Sequence, residues 1–439
     1  MSARKRQRRE RGVAMLIAVI SIAILTIVAT EFIYTSRVDL ELATNQRDGL
    51  QAYYMARSGL GLSRLVLKFQ KQLNNTPIPN LSGLLQNALN STGGAPPGGA
   101  PPAAPSTMNL QIWKLAKVDC HMLRGMVRSE EGAAGEAAPP RGASRTSKFD
   151  EEFPDVGRAQ QRVSFGGFEG CFNATITDEE EKLNLSKVDS GALTAAPVVA
   201  RLLDLFGDKR FEFLFDHEDS NRVKVTPQDV IIGVKDWIDD DEVQSTLNIS
   251  GQTGQDPFLK GFSDENYNYD RYDPRYRTKN APFDTLDELY LVHGVNDEFM
   301  AAFRDRFTVF PGVNAKPNVN TDDPVLLYMD ILSVADPVRP DPRLKDPLFI
   351  DTLIKQIRAA KMFNFVGFSV SDFVNVVQAA GVPVNSTILN NVRNNQFVSD
   401  KSETFRVSVV GEAGTVQRKI TAVIRLDDQL GKLVYWRED

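Results

Sequence analysis

Five acids fall within seven positions of VKDWIDDDEV: Asp236, Asp239, Asp240, Asp241 and Glu242. Hard oxygen donors crowded onto a turn suit calcium, which takes six to eight oxygen ligands. The run is not an EF-hand, because Ile238 occupies what would be a ligand position and no glycine follows. The alternative is a solvated acidic turn balanced by Arg271, Arg275, Arg277 and Lys279. Without a counter-charge such a run repels itself by up to about 1 kcal/mol per close pair at high dielectric. Other reactive patterns are sparse. His121, His217 and His293 lie far apart and form no zinc-type spacing. There is no G-x-S-x-G, P-loop or dinucleotide fingerprint, so an enzyme is not expected. Cys120 and Cys171 both fall in segments that read as strands. They form a disulfide if the chain body lies in an oxidising compartment, and are two buried thiols otherwise.

The elements that carry these residues begin with an unusual N-terminus. The chain has 439 residues and a net charge of −6. Residues 1–12 hold six bases and one acid, +5, so the other 427 residues carry −11. That acidic bulk argues against a protein that coats nucleic acid, whose affinity comes from phosphate neutralisation. Val13 to Thr30 is an uncharged run of 18 residues. As a helix it spans about 27 Å, close to the thickness of a bilayer core. The preceding basic cluster predicts a cytoplasmic N-terminus and a translocated body. A cleaved signal peptide and a plain signal anchor both fit this segment. However, the helical pattern continues without a proline until Pro77. Leu62, Leu65, Val66, Phe69 and Leu73 recur at helical spacing, which predicts an amphipathic continuation. One helix therefore runs from lipid into a globular body.

The body is organised as strands, helices, then strands. Residues 91–106 contain five prolines and four glycines in sixteen, and 129–148 are similarly biased. Neither stretch can pack a core, and both read as insertions into sheet connections. Residues 108–127 read as a strand or hairpin, and 161–178 alternate as strands. From about Ser186 to Asn395 the pattern is largely helical, as in 196–207, 284–307 and 346–363. In 415–426 Ile420, Ala422, Ile424 and Leu426 share one face, with Thr421, Val423 and Arg425 opposite. FRVSVV before it and KLVYW after it complete an expected antiparallel meander. FDTLDELYLVHGVNDEFM suggests a helix-hairpin-helix, but the turn lacks a second glycine and basic flanks, which favours protein packing over DNA.

The basic run ends in Arg11-Gly12 directly before the apolar run, and this N-terminus resembles that of type IV prepilin-like proteins. The resemblance implies cleavage by a prepilin peptidase between Gly12 and Val13, with methylation of Val13. Most members of that family carry glutamate as the fifth residue after the cut, whereas here it is Ile17. The family's K-type minor pseudopilins of type II secretion (general secretion pathway protein K) share that exception. Residues 11–73 resemble them, as do ITDEEEKLNLS (176–186), PNVNTDD (317–323) and the acidic region. In those stretches Asn184 or Ser186 is expected to cap the first helix of the insertion, and 317–323 a later one. By the same match Asp236, Asp239, Asp241, Asp264 and Glu265 are candidate calcium ligands, although Phe262-Ser263 replace the usual Ala-Glu pair.

The resemblance implies an α+β protein. A pilin-like domain, with a long N-terminal helix packed on an antiparallel sheet, carries a large inserted, mostly α-helical domain. The expected divisions are a leader at 1–12, the N-terminal helix at 13–73, a Pro/Gly-rich linker at 74–107, strands at 108–185, the insertion at 186–395 and closing strands at 396–439. The implied role is a tip subunit that starts or caps a short periplasmic filament. Its implied partners are the minor pseudopilins I and J, other pseudopilins, the prepilin peptidase and the inner membrane. A minor pilin of a type IV pilus and a membrane-anchored periplasmic metal-dependent enzyme stand as alternatives.

Overall fold

The computed structural model describes residues 2–75, 111–120, 164–165, 168–216, 218, 224–248, 255–312, 314–363, 368–392, 395–427 and 429–439. The stretch 129–148, nearly all of the 74–107 linker, His121 and His217 lie outside the described residues. Helix α1 (Ser2–Asn75) is continuous and includes residues 2–12. At 74 residues it is about 110 Å long. A short helix α2 (Ile112–Leu115) and strand β1 (Val118–Asp119) follow. Next come β2 (Ser164–Phe165), β3 (Phe168–Glu169) and β4 (Cys171–Asp178). The segment read as a strand at 108–127 is thus helical at Ile112–Leu115, where Trp113 turns inward onto Phe405 at 5.4 Å between ring centroids.

The chain returns to the sheet as β9 (Thr404–Ala413), β10 (Val416–Arg425) and β11 (Lys432–Glu438), the expected meander. The sheet order is β1-β4-β9-β10-β11, with every pair antiparallel. The pilin-like arrangement of a long helix on an antiparallel sheet is therefore present, with 186–395 inserted between β4 and β9.

Which stripe of α1 meets the sheet differs from expectation. Ala52, Met55, Ala56, Gly59, Leu60, Ser63, Val66, Leu67 and Gln70 are buried, whereas Leu65 and Phe69 are 42% and 52% exposed. Val66 of the expected stripe is buried and Leu62 packs on the core, and Ala52, Ala56, Gly59 and Ser63 between the larger side chains let the helix backbone approach the strands closely. The other side of the seam holds Phe172, Val407, Val409, Ile420, Ala422 and Ile424.

A disulfide joins Cys120 to Cys171, with Cα atoms 5.5 Å apart, inside the usual range. It closes a loop of sequence separation 51 and staples β1 to β4. Reduction, or a C120S/C171S variant, is expected to cost about 2–4 kcal/mol of unfolding free energy. Urea titrations with and without reductant read this directly, and coincident midpoints would contradict it.

The insertion contains α3 (Ala192–Phe206), α4 (Pro227–Ile238), α5 (Asp297–Phe303), α6 (Pro324–Val334), α7 (Pro347–Phe363), α8 (Val370–Ala379) and α9 (Ser386–Asn390). Within it β6 (Val243–Leu247) pairs with β7 (Phe258–Asp264), and its β8 (Phe307–Thr308) pairs in parallel with β5 (Leu183–Asn184), which immediately precedes it. The helix-hairpin-helix expectation is corrected, because its first half is a 3-10 turn at Leu286–Leu291 rather than a full helix. Two cores build the insertion, one around Phe206, Phe299 and Phe303 and the other around Ile331, Ile357 and Phe373. The first core continues onto the back of the sheet. Val423, expected on the outward face, is fully buried there, and Phe310 packs on Tyr435 at 5.2 Å. Each face of the sheet is thus covered, by α1 on one side and by the insertion on the other.

Candidate metal centre

Helix α4 starts on a capping box, in which Thr226 and Asp229 satisfy each other's backbone N–H groups with Pro227 in the first turn. Its apolar face (Val230, Ile231, Val234, Trp237) is buried, which fixes the helix rotation. Asp236 and Asp239 sit three apart at its C-terminal end and so share a face. Carboxylates there oppose the helix dipole. The β6–β7 hairpin returns the chain so that Glu265 meets them. One carboxylate oxygen from each of Asp236, Asp239 and Glu265 lies within 4.8 Å of the others, and all three residues are buried.

Several partners hold this cluster. Ser245 N donates to Asp236 Oδ1 at 2.9 Å. Lys235 Nζ donates to Asp239 Oδ2 at 2.7 Å and to Asp189 Oδ1 at 2.6 Å. Thr278 Oγ1 donates to Glu265 Oε1. Burial first, then the Asp239 and Glu265 charges, raise the Asp236 carboxyl to about 7. Burial likewise raises Asp239 and Glu265 above the ordinary carboxyl range. Three buried oxygens are left without a hydrogen-bond partner: Asp239 Oδ1, Glu265 Oε2 and Asn280 Oδ1. Asn280 is anchored on the acidic turn by donating from Nδ2 to the Asp241 carbonyl at 3.0 Å, and it adopts a positive φ of 49°. Buried acceptors without donors are costly. An all-oxygen set of this kind fits a hard divalent cation.

Two of the five candidate ligands are not brought into the cluster. Asp241 is half-exposed and turns its Oδ1 to accept from Val243 N, with Lys260 3.4 Å from Oδ2. Asp264 accepts from Asn266 N at 2.8 Å and caps the following 3-10 turn. In both cases a local backbone donor outcompetes a distant site, the ordinary behaviour of aspartate in turns. Thr278, Asn280 and Lys235 were not singled out in the sequence. Their signal was there, in TKN of the segment after the acidic run and in the base preceding Asp236.

Two further motifs have structural roles. Asn184 accepts from Ser186 N at 3.0 Å and caps a 3-10 turn, not α3, and it donates to the Pro311 carbonyl at 2.9 Å. Asp323 caps α6, while Asn318 and Asn320 are buried in a polar knot beneath it.

At the other end of the molecule, Gly12 and Val13 lie within α1. Ile17 is 58% exposed, and the large apolar residues from Met15 to Leu42 are likewise uncovered. Among the described residues, this is one helix long and apolar enough to cross a membrane.

The architecture defines the class: a pilin-like α+β protein with a membrane-length N-terminal helix and a large insertion. No family model matches the chain, and no curated protein matches it. Among solved structures, it is similar to one described as the GspK-GspI-GspJ complex from the enterotoxigenic Escherichia coli type 2 secretion system. That likeness has a TM-score of 0.37 and 13% identity, covering 64% of this chain and 84% of that one. A likeness of that depth shows neither fold nor function; the fold stands on this chain's own helix and sheet.

Proposed function

We propose that the protein is a minor pseudopilin of a type II secretion filament, acting at the tip to start or cap assembly for export of folded proteins. The observation that carries this reading is the two-part helix α1. Its Met15–Leu42 stretch is a bare apolar rod, and from Ala52 onward the same helix is the buried seam of a folded domain. A rod of this kind has a use as one strand of a helical bundle that passes from lipid into a filament, held by apolar packing. The insertion on the far face of the sheet adds bulk that fits the end of a filament better than its shaft. The membrane in this reading is the inner membrane of a Gram-negative cell, with the body in the periplasm. The minor pseudopilins I and J are its tip partners, and its role is structural rather than catalytic.

Processing supplies the test. The prepilin peptidase cuts between Gly12 and Val13, and Val13 is methylated. N-terminal mass spectrometry of protein from cells with and without the peptidase should find methylated Val13 only in the former. A chain that keeps Met1 in peptidase-containing cells, or that has lost its whole apolar run, overturns the reading.

Calcium is the proposed ligand of the acidic cluster, held by Asp236, Asp239 and Glu265, with Asn280 Oδ1 as a neutral donor. Bound there it neutralises the carboxylates and ties α4 to the segment after β7. At 100 times its dissociation constant, calcium is expected to stabilise the fold by about 2.7 kcal/mol. Only deprotonated carboxylates bind the ion, and Asp236 titrates at about 7. The calcium-induced rise in Tm should therefore shrink as pH falls from about 8 to 6. It should vanish in E265Q, while D241N should keep most of it. A shift of equal size in wild type and E265Q places the ion elsewhere.

A further inference from the structure

A cation is built into the edge of the acidic cluster. Lys235 precedes Asp236 in the last turn of α4, and its ammonium lies between two carboxylates. Nζ donates to Asp239 Oδ2 at 2.7 Å and to Asp189 Oδ1 at 2.6 Å. It also sits 6.0 Å from the ring centroid of Phe258 in β7. Three segments therefore hold it: the turn before α3, the end of α4 and the β6–β7 hairpin. The Lys235 and Asp239 side chains are 15% and 8% exposed, whereas that of Asp189 is 42% exposed. On its Asp239 side the pair is thus shielded from the screening that makes surface ion pairs weak. Lys235 and Asp239 are also an i,i+4 pair in the order that the helix dipole disfavours, with the acid at the C-terminal end. Helix stability alone does not select that order.

The charges around the cluster are few. Asp236, Asp239 and Glu265 carry three negative charges when ionised, and Lys235 offsets one, which leaves −2. Asp241 has its own partner in Lys260 at 3.4 Å, and Asp240 and Glu242 are exposed to water. Asn280 Oδ1 adds an oxygen without adding charge. Lys235 takes Asp239 Oδ2 alone, while Asp239 Oδ1 and Glu265 Oε2 stay without a donor. The ammonium therefore offsets charge without filling the oxygens left for an ion, and the remaining −2 equals the charge of a divalent cation in magnitude.

We propose that Lys235 sets the affinity and charge selectivity of this site: it is the counter-charge of the metal-free cluster, and it repels the ion once bound. This rests on the calcium reading above. Its two effects have opposite signs. In the metal-free protein, loss of the ammonium leaves three buried acids repelling one another. In the loaded protein, the ammonium is a like charge one carboxylate away from the ion. Even at the dielectric of water, a unit charge that close to a divalent ion changes Kd by about tenfold. A residue that merely positioned Asp239 would behave differently, because its loss would weaken the fold and the binding together.

Calorimetric titration of the full chain in detergent micelles with calcium chloride and with terbium chloride tests this, beside thermal unfolding in chelator. Lys235→Met keeps an aliphatic stem against Phe258 and removes the charge. Its metal-free Tm should fall, yet its calcium Kd should drop by about tenfold or more. Its terbium Kd should drop by a larger factor, because a trivalent ion is relieved of half as much repulsion again. Asp189→Asn leaves the Lys235 charge to the cluster alone and should weaken calcium binding severalfold. Calcium binding in Lys235→Met that is unchanged or weaker overturns the role of Lys235, as does an equal change for both ions. Should that variant fail to fold, Asp189→Asn decides, and binding as tight as wild type or tighter overturns the role. A wild type without saturable calcium binding, or binding that E265Q retains in full, instead removes the calcium reading itself.

Discussion

Gly411→Val is expected to strip α1 from the sheet. Gly411 sits in β9 opposite Phe172 and Arg418, directly under the helix. A Cβ at this position runs into the Ala52 carbonyl oxygen and comes within 2.5 Å of Ala56 N. Both are backbone atoms, so no rotamer change relieves the clash, and the helix must lift. The neighbouring contact is equally tight from the helix side, where a Cβ on Gly59 would lie 2.6 Å from Phe172 and 2.7 Å from Val409. Lifting the helix exposes Met55, Leu60, Val66 and Leu67 together with the sheet face they cover. The loss should exceed about 4 kcal/mol, at the extreme end for one substitution. Gly61→Ala serves as the control, since nothing lies within 4 Å of its added Cβ. It should gain about 0.5–1 kcal/mol from helix propensity. Urea unfolding followed by circular dichroism separates the two, and a Gly411→Val midpoint equal to that of the wild type would remove the close-packed seam from this account.

On the proposed tip role, Ile17→Glu should move the protein from the end of a filament into the shaft. In the pseudopilin reading, a carboxylate at this position pairs with the terminal amine of the subunit above. A wild-type subunit with Ile17 cannot make that pair and has no charge-specific reason to dock beneath a neighbour. Glutamate reverses the preference. At the tip it has no partner amine and is left as an uncompensated charge in apolar surroundings, at a cost of several kcal/mol. Below another subunit it is paired. Immunogold labelling of assembled filaments should therefore find wild-type protein at ends and the variant along the length. Labelling of the wild type along the shaft, with subunits on both sides, would end the capping model. This substitution sits at a residue that is 58% exposed in the isolated chain, so the fold of the body should be unaffected.

The sequence-level expectation and the fold agree where a local pattern is sufficient. An uninterrupted helix to Asn75 follows from the lack of proline, and the closing meander follows from strict alternation. They part where two distant segments compete. Of the amphipathic repeat, Leu62 and Val66 pack inward while Leu65 and Phe69 are exposed, because the seam is centred on Ala52, Ala56, Gly59 and Ser63, where the helix backbone comes closest to β4 and β9. Val423 looked solvent-facing because alternation shows only which residues share a face, not whether a second layer covers that face.

The candidate site divides along the same line. The family resemblance implies five carboxylate ligands, yet three converge. Asp241 and Asp264 are taken by backbone N–H groups two residues on, a local competition that spacing cannot rank against a contact made across the β6–β7 hairpin. Glu265 joins Asp236 and Asp239 because that hairpin brings them together. Composition and periodicity act within a few residues, so they are enough for the rod, its apolar length and the strands. Burial, and with it the weakened acidity of Asp236 and the orphaned oxygens at Asp239, Glu265 and Asn280, depends on which remote segments exclude water, and that is settled only when the chain closes on itself.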